Sequence, residues 1–169
     1  MTELETERLL LRQWRDEDAD ALYEIYQDPE VERQLIPMTH EETVEQVARF
    51  AGRWHTDGFS LWAVEEKATG RFVGRIGCMR AYEWPLSDRP IEVGWTLARD
   101  VWNRGYATEG AVASLAWAWD NVPDDEIISF TRVTNVASRR VMEKIGLTER
   151  GLTDYKGIPH VWYAVNRPG

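Results

Sequence analysis

Two stretches of the chain carry residues whose types and spacing could do chemistry. The first is Trp102-Asn103-Arg104-Gly105-Tyr106-Ala107-Thr108-Glu109-Gly110, which follows a β-like run and opens a helical one. The first N–H groups of a helix are free, and the helix dipole is positive there, so such a start attracts anions. Gly105 and the small Ala107 would let a phosphate approach the backbone closely. Alone, G-x-A-x-x-G describes a tightly packed, glycine-initiated helix equally well. The second stretch runs from Asn135 to Leu147. Asn135 falls between a strand and a helix, where it suits an N-cap, and Ser138 falls in the first turn. Two nucleotide-binding patterns fail. A dinucleotide fold needs an acidic residue about 20 positions on, at the end of the next strand. The strand here, SFTRVTN, offers no such carboxylate. The phosphate loop G-x-x-x-x-G-K-[ST] is absent.

The elements that must position these stretches are legible in outline. Leu9 to Gln13 reads as a strand, and Asp16 as the cap of a helix whose apolar face includes Ala19, Leu22, Tyr23, Ile25 and Tyr26. Thr39 and Glu42 have capping-box spacing and open a second amphipathic helix that closes near Gly58. Ser60 to Glu66 and Arg71 to Arg80 flank the turn Lys67-Ala68-Thr69-Gly70 as a hairpin. Ile91 to Leu97 is a strand broken at Gly94, where a bulge or a close backbone approach fits. Gly105 to Trp119 is helical, Glu126 to Val133 a strand, and Ala137 to Ile145 a short helix stopped by Gly146. Two β-like stretches, about Thr148 to Tyr155 and His160 to Asn166, end the chain. The order β-αα-βββ-α-β-α-ββ predicts one α/β domain over residues 1–169 with a mixed sheet.

The composition narrows the function. With 20 basic and 29 acidic residues among 169, the net charge of −9 argues against a duplex nucleic-acid binder. It leans towards cationic partners such as amines. The single cysteine, Cys78, provides neither a disulfide framework nor a cysteine zinc site. No apolar run approaches the ~18 residues of a membrane span, and the N-terminus lacks a signal-peptide pattern, so a cytoplasmic protein is expected. Nine tryptophans need places to pack. Trp62, Trp117, Trp119 and Trp162 lie in periodic segments that suit a core.

Taken together, the two stretches resemble the GNAT superfamily of acyl-CoA-dependent N-acetyltransferases, and within it the branch that acetylates ribosomal-protein N-termini. That branch often reads W-x-[K/R]-G-Y-A-T-E, matched by Trp102 to Glu109. It also carries N-x-x-S-x-x-V-x-E-K-x-G-[FL], matched from Asn135 to Leu147, and an opening T-E-R-L-x-L-R, matched by Thr6 to Arg12. The likeness covers nearly the whole chain. It implies a GNAT-like, mostly antiparallel twisted sheet of about six to seven strands flanked by about four helices. The position of the family's frequent catalytic tyrosine, seven residues after the asparagine, is Met142 here. A tyrosine acid at that place is therefore excluded.

The resemblance implies acetyl-CoA as co-substrate, with no metal, and leaves room for a homodimer. Its pyrophosphate would lie on the amides from Arg104 to Thr108, beside Asn103, Gly105, Tyr106 and Ala107. The pantetheine arm would follow Gly94 to Leu97 like an added strand, along Trp95, Thr96 and Leu97, with an N–H near Trp95 stabilising the thioester oxygen. Asn135 and Ser138 would border the thiol end, and the Ser138 hydroxyl could hydrogen-bond the leaving sulfur. Glu92 stands where family members often carry the base that takes the amine proton. Asp154 is near a second place where relatives carry one, and His160 is a usable titrating group. Arg139 and Lys144 could reach the nucleotide end. Trp84 and Tyr82, with Glu83, could wall a pocket for a cationic acceptor by cation–π contact. The expected function is direct acetyl transfer to a primary amine, a protein N-terminus or a small molecule, in a ternary complex. The alternative is a non-catalytic acyl-CoA sensor or scaffold.

Overall fold

The computed structural model describes residues 2–169. In chain order the elements are β1 (Leu4–Glu5), β2 (Leu9–Arg12), α1 (Asp18–Tyr26), α2 (Pro29–Glu32), α3 (His40–Thr56), β3 (Leu61–Glu66), β4 (Arg71–Arg80), β5 (Ile91–Leu97), α4 (Tyr106–Asn121), β6 (Glu126–Arg132), α5 (Val136–Lys144), β7 (Thr148–Tyr155) and β8 (Ile158–Asn166). The eight strands form one sheet in the order β1-β2-β3-β4-β5-β6-β8-β7. Among the described strands only β5 and β6 pair in parallel.

The sheet thus has more strands than the six to seven expected, and there are five helices rather than four. The additions are the two-residue β1 and the single-turn α2, both too short to show a periodicity. Asp28 caps α2 through the N–H of Glu30, with Pro29 in its first turn. The cap expected of Asp16 is also corrected. Glu17 holds the N-cap position of α1, without a side-chain bond. Asp18 turns instead to Arg12, which grips it with two nitrogens at 2.7 and 2.8 Å while its Nε reaches Glu65 at 2.6 Å. Thr39 and Glu42 close the capping box of α3 as the spacing implied.

α4 packs on one face of the sheet. Tyr106, Ala111, Leu115 and Ala118 of α4 meet Val73, Ile76, Val93 and Ile127 from the strands beneath. Trp54, Trp62 and Trp117 form an aromatic cluster at centroid distances of 4.9 to 5.8 Å, which accounts for part of the tryptophan content. On the other face α1 and α3 cover only the part of the sheet near Phe72, through Leu22, Tyr26 and Val47. The remainder of that face, over β5 and β6, is left open as a cleft.

β5 is not broken at Gly94. Its pairing with β4 runs without a shift from Gly74↔Leu97 to Arg80↔Ile91. The irregularity lies one strand away. Val64 pairs with Gly74 and Glu65 with Phe72, so Val73 is an extra residue and β4 bulges there. The bulge reverses the alternation of side chains along β4. Val73 and Ile76 both face α4, while Phe72 and Arg75 both face the α1–α3 side.

Candidate functional site

The cleft is about 800 Å³. Its floor is the place where the two parallel strands part. β5 and β6 pair only at Ile91↔Ile127 and Glu92↔Ile128, and then diverge. The Val93 carbonyl points into the resulting slit, where it accepts a bond from Ser129 Oγ at 2.8 Å. The Leu97 carbonyl points the same way and accepts one from Trp102 Nε1 at 2.9 Å. Backbone direction alternates along a strand, so the N–H and C=O of Trp95, midway between them, also face the slit. β6 has no residue paired with Trp95. This is an unfilled strand edge inside the molecule, with backbone groups free to pair with an extended chain.

One end of the cleft is the start of α4. Gly105 is its N-cap, at φ 79° and ψ 9°, and the cap has no side-chain bond. The left-handed conformation is one that glycine adopts without steric cost. The first-turn amides are therefore open to an outside acceptor, and Asn103, Gly105, Tyr106, Ala107 and Thr108 border the cleft. The opening Thr6–Arg12 segment acts on this loop from a distance. Arg8 Nη1 donates to the Arg104 carbonyl at 2.7 Å, and Arg8 Nε donates to Glu109 at 2.7 Å. Thr6 Oγ1 donates to the same carboxylate at 2.6 Å. These bonds fix the loop, so two motifs nearly a hundred residues apart belong to one structure. The Arg104 side chain turns away to Glu66, 3.2 Å distant, and only its backbone can serve the loop.

The second wall is the start of α5. Asn135 Oδ1 accepts the Ser138 N–H at 3.2 Å, which fixes the amide's orientation. Its Nδ2 then donates to Thr131 Oγ1 and Ser138 Oγ, each at 3.0 Å. Both hydroxyls receive a bond from one nitrogen, so their own protons remain available. Ser138, half-buried, borders the cleft. Met142 is buried in the α4-side core and supplies no acid. Lys144 lines the cleft, and so does Arg140, which the sequence reading did not single out. Arg139 does not, because it is engaged by Tyr163 and Glu149.

At the other end Glu92, Gly94 and Thr96 of β5 line the floor. Glu92 Oε1 lies 3.4 Å from where a Cβ on Gly94 would sit, so the missing side chain makes room for the carboxylate. Burial pushes the Glu92 carboxyl up to about 7, against a smaller opposing pull from Arg75 and Arg53. His160 is buried in the wall of the cleft, with Nδ1 donating to the Ile158 carbonyl at 2.9 Å and the ring against Tyr155 and Phe130. Its other nitrogen is left unassigned by that bond.

Asp154, Trp84 and Tyr82 also lie outside the cleft. Asp154 is exposed, and its Oδ1 accepts the Gly157 N–H at 2.8 Å, closing the β7–β8 turn. Trp84 is buried behind the wall, stacked on Phe130 at 4.6 Å. Tyr82 is exposed, with its hydroxyl on Asp57 and Arg53 over its ring. The aromatic wall of the cleft is instead Phe130 and Tyr155, with Leu35 to Met38 of the α2–α3 connection opposite. The β4 bulge adds Arg75, which an unbroken alternation would have sent to the other face.

A parted pair of parallel strands, a bare helix start at one end and a half-buried carboxylate at the other thus share one cleft. The chain belongs to the acetyltransferase (GNAT) domain family, whose pattern matches residues 8–148. It is 32% identical over 154 residues to the FsC-acetyl coenzyme A-N(2)-transacetylase of Aspergillus fumigatus, covering 86% of this chain and 64% of that protein. An acetyltransferase structure from Agrobacterium tumefaciens superposes with a TM-score of 0.86 at 27% identity, covering 98% and 95% of the two chains. The ribosomal L7/L12 alpha-N-protein acetyltransferase RimL, solved in complex with coenzyme A, shares the fold with a TM-score of 0.77 at 16% identity, over 98% of each chain. Among the described residues no group of three or more His, Cys, Asp or Glu is arranged to hold a metal, and no helix is long and apolar enough to cross a membrane.

Proposed function

We propose that this chain, as a single domain, transfers an acetyl group from acetyl-CoA to a primary amine directly, with both substrates bound together. The observation that carries the reading is the open strand edge at Trp95, flanked on β5 by Glu92 and across the slit by Ser138. In this reading the α4 start holds the pyrophosphate and the β5 edge holds the pantetheine arm through backbone bonds. The Trp95 N–H stabilises the thioester oxygen as it gains charge. Glu92, with its carboxyl lifted to about 7, is ionised in enough molecules at neutral pH to accept the amine proton. Ser138 donates its free hydroxyl proton, as a hydrogen bond, to the departing sulfur.

The Aspergillus relative is named an acetyl coenzyme A-N(2)-transacetylase, which supports a nitrogen acceptor. The test is thiol release from acetyl-CoA against a panel of primary amines, with the products weighed by mass spectrometry. An acetylated amine formed at the rate of thiol release is the expected result. Tight acetyl-CoA binding without release with any amine would make the domain a sensor or scaffold.

A further inference from the structure

The acceptor side of the cleft can be sorted by which charges are already committed. Glu42 is held in the α3 capping box, where its carboxylate accepts the Thr39 N–H at 2.7 Å. Glu45 and Arg49 face each other at 3.9 Å. Lys156 is paired with Glu83 at 2.5 Å. Apart from Arg140 and Lys144 on α5, the charged groups of the cleft left without an ion pair among the described residues are Arg75 on β4 and Glu92 on β5, which feel each other only through space.

Arg75 is built to present its guanidinium. Its Nε donates to Tyr26 Oη at 2.8 Å, and that hydroxyl donates to Gln46 at 2.8 Å. The guanidinium carbon lies 5.6 Å from the centre of the Phe50 ring. Two helices therefore fix the arm, and the β4 bulge aims it into the cleft. Among the described residues its two terminal nitrogens make no hydrogen bond and it pairs with no carboxylate. Arg12 and Arg80, by contrast, each hold a carboxylate with two nitrogens. A half-buried guanidinium left with two free nitrogens is a fork suited to a carboxylate or phosphate.

The register fixes the spacing. Arg75 pairs with Thr96 and Met79 with Glu92, so the two groups are four residues apart along adjacent strands, roughly 13 Å of backbone. The Glu92 carboxylate leans over Gly94, towards the Arg75 end, and the arginine's own length closes more of the gap. The geometry points to an amphoteric acceptor: a primary amine that carries an anionic group several bonds away. The amine is received at Glu92 and the anion by Arg75, which acts as the specificity residue. This rests on the transferase reading above and narrows its substrate class. Arg75 forms no ion pair with any carboxylate among the described residues, so an amine lacking the anion leaves its two terminal nitrogens without an acceptor and forgoes that contact.

The experiment compares 6-aminohexanoate with its neutral counterpart 6-aminohexanamide, and the peptide amide Ser-Glu-Ala-Ala with Ser-Gln-Ala-Ala. The first pair represents a free small acceptor and the second the side-chain carboxylate of a protein N-terminus. In at least one pair the anionic member should be favoured about tenfold or more in kcat/KM, mainly through KM. Arg75→Gln should reduce that preference, read as the ratio within each pair, below about threefold, and Arg75→Lys should restore part of it. The acid limb of the pH profile should move somewhat upward in Arg75→Gln, because the pull of Arg75 on Glu92 is lost, so the preference is compared at a pH above that limb. Equal rates within both pairs would overturn the inference. So would an Arg75→Gln variant that, above the acid limb, slows both members of each pair alike, because Arg75 would then serve only Glu92. Equilibrium binding of the same four probes to the CoA-saturated protein, wild type against Arg75→Gln, reads the preference without turnover. If no amine releases thiol, the transferase reading has failed, and the binding comparison still decides the role of Arg75.

Discussion

Exchange of Glu92 for glutamine is expected to make the protein more stable and nearly inactive. In the folded chain burial holds the Glu92 carboxyl at about 7, against an ordinary value of 4.5. That gap corresponds to about 3 kcal/mol, and to about 2 kcal/mol once water's partial access to the cleft is allowed for. Its sign is unfavourable. Below pH 4.5 the group is protonated in both states and costs nothing. Between 4.5 and 7 the unfolded chain has released a proton that the native chain still holds, so stability falls as pH rises. Above 7 the cost is complete. Glutamine keeps the shape and removes the titration. Urea unfolding of both proteins from pH 4.5 to 8 should show near parity at the acid end and an advantage for Glu92→Gln of about 2 kcal/mol at pH 8, or roughly 4–8 °C in Tm. Over the same range kcat/KM of the wild type should fall below pH about 7. The variant should lose about 10²- to 10⁴-fold at pH 7, and less at high pH, where free amine is abundant. A stability difference that does not change with pH, or a variant less stable at pH 8, would refute a carboxyl raised by burial. A near-normal rate at pH 7 would refute its role as base.

Gly105→Val puts a β-branched residue at φ 79° and crowds the bare helix start. Acetyl-CoA affinity by calorimetry should fall at least about tenfold, about 1.4 kcal/mol, and unchanged binding with the fold intact would remove the pyrophosphate from this loop. Ser138→Ala should lower kcat roughly tenfold or more and change acetyl-CoA affinity less than about threefold, since a bond to the leaving sulfur strengthens only as charge develops. If the variant loses only melting temperature, the hydroxyl serves the Asn135 cap alone. Asp154→Asn should leave kcat/KM within about twofold and cost about 1 kcal/mol or less in a urea melt, because the carboxylate only closes a turn. A large loss of rate would return Asp154 to the chemistry.

The sequence by itself carried the family and most of the fold. Motifs from Thr6, Trp102 and Asn135 kept their order and spacing, and the longer elements each showed a period or a cap, as at Thr39 and Glu42. Those signals are local: a helix start or a strand alternation is written within a few residues of itself. β1 and α2 escaped because two and four residues hold no period. Ser138 could be marked as a candidate because the Asn135–Leu147 motif fixes its place, and Glu92 because it is a carboxylate on the strand Ile91–Leu97, where the resemblance implies a base. Asp154, Trp84 and Tyr82 were misplaced because which way a loop or edge-strand side chain turns depends on what competes for it. The turn amide of Gly157 took Asp154, Phe130 took Trp84, and Asp57 with Arg53 took Tyr82. Arg75 was invisible for a related reason. One extra residue at Val73 reverses the face of every later side chain on β4, and a bulge shows itself only in the register with its neighbours. The types of residue able to do chemistry were written in the chain, but long-range pairing and burial decided which of them share a cleft and which carboxyl is held near 7, since both depend on elements far apart in sequence.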